Sequence, residues 1–126
     1  GMCVGPQNAE ETEQTYDTLD KQMEDPYSIY NFVKQTISIR NAFPEIARGT
    51  NTFEKDLSND NVCIFTREYN GEKAVLIFNP SKDEASVDVS SLGVNDAVAM
   101  LQTTKKAPSY KDGTAKLPAY SVLVLK

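Results

Sequence analysis

The chain has 126 residues, 40% of them hydrophobic and 25% charged, with a formal net charge of −5. That length and balance suit one folded domain with a sizeable core. The negative charge, with no basic cluster beyond Lys105 and Lys106, argues against a nucleic-acid or anionic-membrane surface. No apolar run approaches a membrane span and no signal-peptide pattern is present, so a soluble protein of unspecified compartment is expected.

In chain order, residues 1–24 carry the nearly continuous polar run Asn8, Glu10, Glu11, Thr12, Glu13 and Gln14. This composition favours an extended or partly disordered segment, in which Tyr16, Leu19 and Met23 can make a few contacts. Asp25-Pro26 then predicts a helix start. Asp accepts a bond from an orphan N–H of the first turn, and proline at the first helical position loses no needed donor. Pro44 predicts the stop near Phe43. The expected helix over 25–43 has about 18 residues and is roughly 27 Å long.

At about 100° per residue, Ile29, Tyr30, Phe32, Val33, Ile37, Ile39 and Phe43 share an arc of roughly 180°. A surface helix usually shows a narrower apolar stripe. Such a helix has more apolar surface than one small sheet needs, which predicts a second body. Phe32, Val33, Ile37 and Ile39 are the expected interface residues, not all coverable by a single sandwich. Arg40 lies inside the apolar arc and is expected to reach a carboxylate or a set of carbonyls.

Residues 44–126 read as short strands and turns. Pro44 to Gly49 is a bend, Thr50 to Leu57 a weak strand, and Ser58 to Asn61 a turn. Val62 to Tyr69 and Lys73 to Phe78 are strands joined by Asn70-Gly71, a strong hairpin signal. The second strand is apolar on both faces, so both faces need covering. Ala85 to Val89, Ala97 to Leu101, Thr114 to Leu117 and Tyr120 to Leu125 follow, with a second tight turn at Asp112-Gly113. The fold class expected is mainly β: an antiparallel β-sandwich of about seven short strands preceded by one long amphipathic α-helix.

No catalytic constellation stands out. Histidine is absent, which removes the commonest general base and metal ligand. Glycoside hydrolysis needs two carboxylates roughly 5–9.5 Å apart, and the acidic residues here, such as Asp83, Glu84 and Asp112, lie in turns. Asp56, Asn59, Asp60 and Asn61 lack the spacing of a calcium loop. Ser90-Ser91 has no base beside it, and the isolated glycines make no phosphate loop. No metal or cofactor is expected. Cys63 reads as a small core residue, far in sequence from Cys3. For sugar binding, which relies on aromatic platforms, Tyr69, Tyr110 and Tyr120 are candidates, and Tyr110 is expected to be the exposed one.

The order of these features resembles the end of an α-amylase-family glycosidase, of glycoside hydrolase family 13. Gln22, Asp25, Pro26 and Ser28 resemble a linker phrase leading into the last helix of that family's catalytic (β/α)8 barrel. Ile39-Arg40-Asn41 is similar to the helix ending. Pro44-Glu45-Ile46-Ala47-Arg48-Gly49 looks like the lead-in to the C-terminal domain, and Asn79-Pro80 and the closing Tyr120–Leu125 strand fit it. The resemblance covers roughly residues 15–126. It implies a non-catalytic, stabilising C-terminal fragment whose partner is an upstream barrel acting on α-glucans, the family's catalytic carboxylates belonging to that barrel. The alternatives are a stand-alone carbohydrate-binding module, with Tyr110 as the weak candidate contact, and a protein-interaction module that forms a homodimer through the helix face.

Overall fold

The structure, a computed structural model, describes residues 13–126; the expectations for residues 1–12, including Cys3, lie outside them. Three helices come first: α1 (Leu19–Glu24), α2 (Ile29–Ala42) and α3 (Pro44–Arg48). The strands are β1 (Thr50–Phe53), β2 (Cys63–Tyr69), β3 (Glu72–Asn79), β4 (Ala85–Asp88), β5 (Ala97–Leu101), β6 (Ser109–Lys111), β7 (Thr114–Leu117) and β8 (Ser121–Leu125). The expected antiparallel sandwich is present. Its eight described strands form a five-stranded sheet ordered β1-β2-β3-β8-β5 and a three-stranded sheet ordered β4-β7-β6.

Both predicted tight turns form. Asn70 and Gly71 have φ of 50° and 80°, and Asp112 and Gly113 have 49° and 81°. Positive φ at both central residues is the geometry whose twist matches the flanking strands. The first turn sets Tyr69 opposite Glu72 and carries the register to Cys63 opposite Phe78.

Alternation along the strands then fixes the core. Ile64, Val75, Ile77, Leu123 and Leu125 point between the sheets and are fully buried against Val89, Ala115 and Leu117. Asn79 and Ser121, paired across β3 and β8, form a polar hub at one end. The Asn79 amide donates to the carbonyls of Asp83 (2.8 Å), Leu117 (3.1 Å) and Pro118 (3.0 Å), while its Oδ1 accepts from Ser81. The buried amide is thereby satisfied while it ties the two sheets together.

The other face of the large sheet is apolar as well. Cross-strand pairing places Phe65 beside Phe53 and Leu76, Leu76 beside Val124, and Phe78 beside Val122. α3 covers part of this face. The Arg67 guanidinium of β2 donates to the carbonyls of Glu45 (3.3 Å) and Ile46 (2.8 Å). Close approach needs Gly49, where an added Cβ would lie 2.3 Å from the Glu45 oxygen and 2.8 Å from the Glu68 oxygen.

The structure corrects five local expectations. The long helix starts at Ile29 with Ser28 as its N-cap, and has 14 residues. Asp25 instead closes α1, its N–H bonding to the Lys21 carbonyl, and Asp25 Oδ1 accepts from the Tyr27 N–H at 2.9 Å. Pro26 therefore opens a turn. The bend at Pro44 is the short helix α3, with Pro44 in its first turn. Tyr120 does not extend β8: its φ is 51° and its ring is exposed. Arg40 is exposed, and Cys63 is only half-buried.

Candidate functional site

The site begins at the junction of α1 and α2. Gln22, Asp25 and Ser28, three residues of the linker phrase, bind one another's surroundings. The Ser28 hydroxyl donates to the Gln22 carbonyl (2.6 Å) and accepts the Asn31 N–H (3.2 Å). Gln22 Oε1 accepts the Tyr30 N–H, and its amide donates to the Asp17 carbonyl. The Asn31 side-chain amide donates to the carbonyls of Gln22 (3.0 Å) and Asp25 (2.7 Å). Free groups at the end of α1 and the start of α2 are thus paired, as helix ends require. The motif is a hinge-fixing device that sets where α2 points.

α2 then divides into two apolar faces. Phe32 and Ile39 are half-buried and turn toward the sandwich, and the Gln35 amide donates to the Met100 carbonyl of β5 (3.2 Å). Ile29, Val33 and Ile37 turn away and remain 54%, 50% and 54% exposed. Leu19 of α1 sits beside them, 58% exposed, lining the same shallow depression. The four residues expected at an interface are therefore split: the sandwich takes a share of Phe32 and Ile39 and leaves Val33 and Ile37 in water.

A groove of about 470 Å³ runs between α2 and the outer face of the large sheet. Ile29, Phe32, Phe78, Leu101, Tyr120 and Val122 are among its walls. Ile29 belongs to both the groove and the outward stripe, so the two form one continuous apolar surface. Beyond it, Phe53 and Phe65 pack at 5.3 Å between ring centroids, with Phe53 half exposed. Contiguous apolar surface of this kind marks an interaction face.

Tyr110 is not the exposed aromatic. It is half-buried against the core, and its hydroxyl donates to the Val94 carbonyl at 3.0 Å. The exposed tyrosine bordering the groove is Tyr120. Its left-handed backbone, uncommon for a bulky residue, carries no sequence signal, since it lies in a stretch that otherwise reads as strand.

Sequence reasoning also missed an ion pair beneath α3. Glu45 is 2% exposed, and its Oε1 lies 2.5 Å from the Lys126 ammonium, which also reaches Glu72 at 3.4 Å. Burial pushes the Glu45 carboxyl up, but the bond from Lys126, its own backbone amide and the charge of that ammonium together outweigh burial and hold it below its ordinary value. The bond to Glu45 raises Lys126 in turn, against burial and with help from Glu72. The pair joins α3 to the end of β8 and has the character of a clamp. Around Asp60, Asn59 Oδ1 accepts the N–H groups of Asn61 and Val62, forming a self-contained turn. Among the described residues, no group of three His, Cys, Asp or Glu is placed to hold a metal, and no helix is long and apolar enough to cross a membrane.

The family described as Maltogenic Amylase, C-terminal domain, matches residues 56–124. The solved structure of Eubacterium rectale Amy13B has a TM-score of 0.92 and 98% identity to this chain, covering 100% of this chain and 25% of that one. The trehalulose synthase MutB from Pseudomonas mesoacidophila MX-45 shares the fold, with a TM-score of 0.70 and 23% identity over 85% of this chain and 19% of that one. The chain therefore spans a quarter or less of the length of these structures. None of the curated proteins matches.

Proposed function

Since the chain belongs to the maltogenic amylase C-terminal domain family, we propose that it is the stabilising, non-catalytic C-terminal domain of an α-amylase-like glycosidase acting on α-glucans. It docks by the outward face of α2 on a catalytic (β/α)8 barrel, of which α2 is the closing helix. The observation that carries this reading is the exposed stripe Ile29, Val33 and Ile37 on a helix whose opposite side already rests on the sandwich. Each of these side chains leaves about half its surface in water, and covering it is worth roughly 1 kcal/mol.

The test uses the purified 126-residue chain. It releases no reducing sugar from starch or maltooligosaccharides; release above a buffer control contradicts the proposal. Without its barrel, the stripe has a second copy of the chain as its nearest apolar partner. Light scattering is expected to show concentration-dependent self-association that Val33→Asp with Ile37→Asp abolishes. A wild-type chain that stays monomeric at high concentration excludes the homodimer.

The second reading, a glucan-binding module, rests on exposed Tyr120 at the groove mouth. Calorimetry with maltoheptaose separates the two: saturable binding lost in Tyr120→Ala favours the module, and no heat favours the docking domain.

A further inference from the structure

The outward stripe of α2 does not end in an apolar residue. At about 100° per residue, Arg40 falls between Ile29 and Val33, on the axis of the stripe and at its C-terminal end. Across a concavity of about 310 Å³ lies Arg48, in the last turn of α3, with Asn41, Pro44 and Ala47 forming the floor and walls. Both arginines are exposed. Among the described residues, no carboxylate lies within ion-pair distance of either, whereas the ion pairs present use Lys21 and Lys126. Among the described residues they are an unmatched pair of cations, on a chain of net charge −5.

We infer that Arg40 and Arg48 form a carboxylate clamp, and that the body covering the α2 stripe presents an Asp or Glu side chain to it. The inference rests on the docking reading above and specifies the chemistry of the partner surface: apolar along the stripe, acidic at the α3 end. Guanidinium groups suit this task because their planar donors grip a carboxylate in a two-bonded fork. Two of them converging on one concavity fix orientation as well as affinity. The helix ends favour the two positive charges where they stand, but that leaves most of their donors to water. An apolar partner arriving along the stripe excludes this water and strengthens the bonds. The occupant is the remainder of a longer chain, because the structures matched run at least four times the length of this one.

The test is made in the long Eubacterium rectale chain, at the positions matching these residues, by thermal unfolding at low and high NaCl. Arg40→Met with Arg48→Met lowers the melting temperature by about 2–4 °C and flattens its dependence on salt. In the 126-residue chain the same substitutions cost only the helix-end charges. Arg40→Lys with Arg48→Lys, which keeps those charges but loses the two-bonded fork, leaves the melting temperature of the 126-residue chain unchanged and still lowers that of the long chain, which separates a lost interface from a damaged fold. Val33→Asp tests the underlying docking reading separately. If Val33→Asp uncouples the unfolding of the two parts but the arginine variant melts and responds to salt as wild type, docking stands and the clamp is overturned. If Val33→Asp changes nothing, the docking reading itself fails. Replacing Glu10 and Glu11 by Gln leaves the salt response intact; a flattened response there assigns the carboxylate to this chain's own N-terminal segment and overturns the inference.

Discussion

At the scale of single residues, the motif positions act through backbone geometry and hydrogen bonds. Ser28 caps α2 and braces α1 at once, so Ser28→Ala is expected to cost about 1 kcal/mol, the usual loss for an N-cap. Asp25→Ala, at the position the sequence nominates as the cap, costs less; urea unfolding of both variants decides between them. Gly49 is needed for space: its φ of −70° suits any residue, but a Cβ has no room between Glu45 and Glu68. Gly49→Ala is expected to destabilise by about 1–3 kcal/mol, as overpacking does.

The Glu45–Lys126 pair gives a pH signature. Glu45 has a folded pKa below its unfolded value, so its contribution is fully present above the unfolded value and is lost as pH falls through the folded one. Lys126 is raised, so its contribution holds below its unfolded value and is lost only when alkali passes the folded one. Stability from the pair therefore persists across neutral pH and drops in acid, below the ordinary range of a glutamate. Lys126→Met strands a buried carboxylate, costs about 2–3 kcal/mol at neutral pH, and weakens the acid limb of the pH–stability curve. An unchanged curve contradicts the clamp role.

At the scale of elements, α2 is a helix with two apolar faces. Phe32, Ile39 and Gln35 lie on the side of the sandwich, while Ile29, Val33 and Ile37 stay in water, the face proposed to meet the barrel. The excess of apolar arc was legible in the spacing, because helical periodicity reports how much surface must be covered. It does not report by what. The helix start was not legible: Asp25-Pro26 and Ser28 are both sound start signals, and the choice turned on Asn31 reaching across to α1 and Gln22 of α1 reaching across to the first turn of α2. The strands were easier. Asn70-Gly71 and Asp112-Gly113 dictate their turns through positive φ, and each turn sets the register of its hairpin. Tyr110 and Tyr120 reversed their expected exposures, since Tyr110 found the Val94 carbonyl and Tyr120 took a backbone conformation that propensity does not foresee. The Glu45–Lys126 contact joins positions 81 residues apart, and nothing local announces it.

At the scale of the whole molecule, the chain is the C-terminal domain of an α-amylase-family enzyme, a sandwich with a helical arm and an uncovered apolar side. Family membership was readable from the order of loose motifs, from Gln22 to the closing strand. The individual residues of the proposed docking face were readable only as candidates, because Val33 and Phe32 look alike until the sandwich claims one of them. The most direct measurement is the maleimide reactivity of Val33→Cys in a background with Cys3 and Cys63 replaced by Ser. It is read in the dilute 126-residue chain and at the matching position of the long Eubacterium rectale chain. The account predicts rapid labelling in the short chain and protection in the long one. Equal labelling in both would contradict the claim that this face of α2 is where the catalytic body sits.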